Sequence, residues 1–139
     1  MGDRKLIFLA ISTLISIGHL HAKGNSDDLI AEAAGAYLGA TYLLEAARTT
    51  RCGYALLIDI DHLLQEAERE VKSNVAPKHH EELFEFMTKS RHESRSTVNS
   101  IIMDLDGKVD SRTQCGIVVG MLIGNFSTYR TQWRRSIGE

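Results

Sequence analysis

Residues 115–126 read Cys-Gly-Ile-Val-Val-Gly-Met-Leu-Ile-Gly-Asn-Phe, CGIVVGMLIGNF, an uncharged stretch that suggests a membrane span, a core helix or one wall of a groove. As a helix it is only about 18 Å long, against a hydrocarbon core of roughly 30 Å, so it is too short to cross a bilayer. Ser111 with Gln114 three residues on is a capping-box pattern that opens a helix ahead of it. The polar run STYRTQWRR (127–135) carries the same helix onward into solvent. Ile117, Val118, Val119, Met121, Leu122, Ile123 and Phe126 point in nearly every direction round that helix. This predicts a central helix, buried on most sides. Gly116, Gly120 and Gly124 fall in register. Each glycine costs a helix about 1 kcal/mol relative to alanine, so the stripe implies close approach by another backbone. Two readings stay open: the first helix packs on the glycines, or they floor a groove for a partner's helix, with Met121 beside them.

Outward from this stretch, the head of the chain reads as an address. Arg4 and Lys5 precede the apolar run LIFLAISTLISIG (6–18), and HLHA supplies Ala22 for cleavage, with Gly24 as a second option. The expected organisation is a signal peptide over 1–22 and one domain over 23–139, exported to a periplasm in a bacterium and otherwise secreted. No cysteine follows the cleavage site directly, as lipidation of a bacterial lipoprotein requires. The chain has 16 basic and 18 acidic residues, and cleavage removes Asp3, Arg4 and Lys5, leaving it mildly acidic. That balance argues against nucleic acid as the main partner.

The rest of the sequence shows helical periodicity with a single proline. The expected fold is all-α, a small bundle of four main helices with one disulfide. The first helix runs from NSDD (25–28) to about Arg51, with Gly53 as its stop. The second, YALLIDIDHLLQEAEREV (54–71), places Leu56, Leu57, Ile60, Leu63, Leu64, Ala67 and Val71 on one face. SNVAP (73–77) breaks the chain, and Pro77, Glu81 and Glu82 suit the start of a third helix. Its stretch TKSRHESRST (88–97) has no large apolar side chain, so one long helix crossing solvent is expected there, the alternative being two shorter helices that meet at a break. Cys52 closes the first helix and Cys115 opens the fourth. In an exported chain two such cysteines are expected to pair, as a structural rather than a redox-active bond.

Chemical motifs are sparse. His62 with Asp59 and Asp61, His79 and His80 with Glu81 and Glu82, and His92 with Glu93 form local pairs. None has zinc spacing, and they read as solvated helix surface. There is no nucleophile elbow, phosphate loop or dinucleotide fingerprint. The chain therefore reads as non-enzymatic, without metal or cofactor. Near the end, Tyr129 and Trp133 read as inward-packing aromatics, and Arg130, Arg134 and Arg135 as charges suited to a helix C-terminus. Membrane contact through this segment is at most peripheral.

AYLGATYLLEAARTTRCGY (36–54) and DSRTQCGIVVGMLIGNF (110–126) resemble the first and fourth helices of the type II secretion pilotins of the PulS/OutS kind. The resemblance implies a four-helix bundle with Cys52 and Cys115 bridged. It also implies a non-catalytic role: clasping a helical segment of a secretin and assisting its delivery. This sequence departs from lipidated pilotins in lacking an acylation cysteine and in its longer third helix and C-terminus. The expected function is an exported binding module for a partner protein's helix, an accessory to secretion or envelope assembly. The alternative is a periplasmic immunity or inhibitor protein directed at a secreted toxin or hydrolase.

Overall fold

A computed structural model describes residues 26–139; the expected signal peptide lies outside them. Four helices follow one another: α1 (Ser26–Arg48), α2 (Ile60–Asn74), α3 (His80–Asp104) and α4 (Ser111–Ser136). Short 3-10 turns, Gly53–Ala55 and Pro77–His79, sit in the first two connections. No strand occurs among the described residues, so the fold is the expected all-α bundle of four helices.

The central helix is α1, not the helix that carries CGIVVGMLIGNF. Every residue from 34 to 44 is buried. Small residues, including Ala34, Gly35, Gly39, Ala40 and Ala47, alternate with Tyr37, Leu38, Tyr42, Leu43 and Leu44, so neighbours can approach from all sides. The other three helices each pack on α1, most extensively α4 and α3. The backbones of α2 and α3 stay apart, so the core is arranged radially around one helix. Tyr37 stacks 6.1 Å from Trp133 and 5.9 Å from Phe126 between ring centroids, which seats α4 on α1.

Helix ends differ from expectation where a stronger local signal wins. α1 stops at Arg48, and the chain folds back through a turn at residues 49–52. Gly53 does not end the helix. It lies so close to the Arg48 carbonyl that a Cβ would collide with it. The second helix begins only at Ile60, because Asp59 caps it by accepting from the His62 N–H at 3.0 Å. Leu56 and Leu57 therefore leave the apolar face assigned to them; Leu57 is 90% exposed in the connecting loop. Pro77 opens the turn before α3, and Glu81 and Glu82 occupy its first turn.

α3 is one unbroken helix, but it does not cross solvent. Leu83, Phe86, Ser90, Ser94, Val98 and Ile101 form one continuous buried stripe. Ser90 and Ser94 are both fully buried, so the polar-looking middle of the helix contacts α1 through small side chains. Arg91, on the flank of that stripe, reaches Glu45 of α1.

Candidate functional site

The disulfide end joins a covalent bond to a set of buried and half-buried side-chain hydrogen bonds. Cys52 and Cys115 are bonded, at 2.07 Å between sulfurs, and both are buried. They join the turn after α1 to the first residues of α4, as expected for antiparallel neighbours. Around the bond, the sequence-based cap assignment is corrected by one position. Asp110, not Ser111, is the N-cap, accepting from the Thr113 N–H at 3.0 Å and from its hydroxyl at 2.7 Å. These bonds hold the Asp110 carboxyl below the usual aspartate range.

Gln114 is consequently free of capping and is almost fully buried. Its amide nitrogen donates to the Ile102 carbonyl at 2.6 Å and to Asp106 at 2.7 Å, and its oxygen accepts from Arg51. Gln114 and Arg51 keep the Asp106 carboxylate below its usual range. The sequence signal for this bracket was a glutamine beside a cysteine, which alone names no partners.

The glycines of α4 lie on the opposite face from the one assigned to packing. Val118, Val119, Leu122, Phe126 and Trp133 turn inward, so α4 has a buried face and an open one. Gly116, Gly120 and Gly124 all fall on the open face, and among the described residues a Cβ added to any of them would meet no atom within 4 Å apart from the helix's own backbone. They do not admit α1. The exposed Ile117 and Ile123 lie beside them, and Met121 is half-buried at the edge. From residue 113 to 128 this helix carries no charged side chain. The structure thus brings the three glycines together on one uncharged outer surface.

Comparison with known proteins gives no match. No family model, curated protein or solved structure was found to match this chain.

The histidines divide differently from the solvated surface expected of them. His79 is buried, with Nε2 2.8 Å from Asp28 Oδ1, tying the start of α1 to the turn before α3. His80 Nε2 contacts the Val75 carbonyl at 2.9 Å. Among the described residues no three His, Cys, Asp or Glu side chains gather as a metal-ion set.

The C-terminal arginines have a specific partner. Arg130 and Arg134 reach the same Glu66 oxygen of α2, at 3.1 and 3.4 Å. Trp133 donates its indole N–H to Glu70 at 3.0 Å, and its ring is fully buried. Among the described residues no helix is long and apolar enough to cross a membrane.

Proposed function

We propose that this chain is an exported, non-enzymatic helical module that presents the outer face of α4 to a helix of a partner protein, as a pilotin-like accessory in secretion or envelope assembly. One observation carries the reading. Three glycines in register each weaken α4 by about 1 kcal/mol relative to alanine, yet among the described residues a Cβ on any of them would meet nothing beyond the helix's own backbone. Packing among the described residues therefore gives them no role. A second helix laid along an uncharged glycine face can bring its backbone close, with Ile117, Met121 and Ile123 as flanking apolar contacts. The disulfide fixes the start of that helix to α1 and so keeps the face rigid.

The experiment is co-expression with a secretin, followed by recovery of the complex from the envelope fraction. Wild-type chain is expected to retain the secretin through its C-terminal helix, and Gly120→Leu is expected to release it while melting no lower than wild type. Equal retention by both proteins, or none by the wild type, overturns the reading.

A further inference from the structure

A cleft of about 410 Å³ lies between α2 and α3, lined by Tyr42, Glu68, Met87, Thr88, Arg91 and His92. It exists because both helices pack on α1 while their backbones keep apart. Tyr42 and Tyr37 are five residues apart on α1, about 140° round the helix. Tyr37 faces α4, so the cleft opens on another side of the bundle and is independent of the glycine face.

Arg91 of the cleft serves two carboxylates, Glu68 within the lining and Glu45 beside it. Arg91 is committed to Glu45, with Nε and Nη2 each 2.8 Å from a carboxylate oxygen, a bidentate pairing. Its remaining approach to Glu68 is 3.9 Å. Glu68 is about one quarter exposed and accepts from the Tyr42 hydroxyl at 3.1 Å, a neutral donor. Two carboxylates therefore share one guanidinium. A partly desolvated carboxylate attracts a cation more strongly than one in open water. Tyr42 is buried at the floor of the cleft with Arg91 over its ring, so the half-buried Met87 supplies the apolar surface suited to an alkyl stem.

We propose that this cleft is a binding site for an alkylated guanidinium or ammonium group, its charge on Glu68 and its stem along Met87. The group is either a free small amine or an arginine or lysine side chain of a protein.

The test is an NMR titration of the full-length mature protein with n-butylguanidinium, with butyrate as the anionic counterpart. Saturable shifts at Thr88, Arg91 and His92 are expected with butylguanidinium and not with butyrate. Glu68→Gln, which keeps an acceptor for Tyr42, should weaken binding at least tenfold. Met87→Trp fills the cleft and leaves every charge in place, and it should weaken binding as much. A blocked peptide carrying a single arginine distinguishes the sources. Binding tenfold tighter than butylguanidinium assigns the group to a protein, and equal or weaker binding assigns it to a small amine. Failure of butylguanidinium to saturate, or undiminished binding by Met87→Trp, overturns the proposal, because attraction to a generally acidic surface would survive that substitution. Loss of binding here leaves secretin retention by the α4 face unaffected, so the two readings fail separately.

Discussion

Helices α1 and α4 both contain a long uncharged segment threaded with glycine, and they meet opposite fates. In α1, Gly35 and Gly39 sit within a run buried on every side. In α4, Gly116, Gly120 and Gly124 line a surface on which no other described residue sits. Lack of charge does not separate the two. What separates them is the number of neighbours: α1 is packed by three helices, whereas α4 is packed chiefly by one. Glycine in the first case accompanies crowding, and in the second it stands where the described residues make no demand for it.

Four measurements can break or sharpen that contrast. The largest effect belongs to the bond that joins the two helices. Cys52 and Cys115 are 63 residues apart, and closing such a loop stabilises by about 4 kcal/mol on the chain-entropy account. Urea denaturation of a Cys52→Ala/Cys115→Ala variant should show a loss of that order; a loss below about 1 kcal/mol would mean that Gln114 and its partners hold the end unaided.

Next is overpacking of the central helix. Ala34 is fully buried, so Ala34→Leu should cost about 1–3 kcal/mol. An unchanged melting temperature would contradict a crowded α1. The matching change on α4 has the opposite sign. Gly116→Ala, Gly120→Ala and Gly124→Ala should each stabilise the isolated protein, by about 0.5–1 kcal/mol. Destabilisation at any of the three would show that its face is occupied in the free protein.

The smallest effect is at the α4 cap. The Asp110 carboxyl is held low by Thr113, so its stabilising contribution is complete above the ordinary aspartate value and lost as the pH falls through the lower folded one. Asp110→Ala should therefore be less stable than wild type at about pH 6, with the gap closing towards about pH 3. A gap that persists in acid would show that the carboxylate charge is not its source.

Much of this architecture can be read from residue order. Four periodic segments, a proline break and two cysteines at helix ends suffice for a stapled bundle. Centrality cannot be read that way, because an apolar stretch reports burial without reporting how many partners supply it. Ser90 and Ser94 show the converse, since two small polar residues continue an apolar stripe that hydropathy interrupts. Leu57 fails through competition, as an N-cap at Asp59 outranks an apolar period that would have started the helix earlier. The cleft residues gave no signal at all. Tyr42, Glu68 and Arg91 come from three helices, and their meeting depends on the gap between α2 and α3.

The radial core also constrains how the chain acquires its structure. Apart from the Glu66 and Glu70 contacts that link α2 to α4, the outer helices share little except α1, so no pair of them alone encloses a substantial core. A fragment beginning after Arg48 should remain largely unfolded. In chain order α1 emerges first, while its most extensive partner is the last 26-residue helix. The most apolar helix of the described chain must therefore wait for nearly the entire sequence before its surface is covered, and that interval is when the protein is most exposed to aggregation.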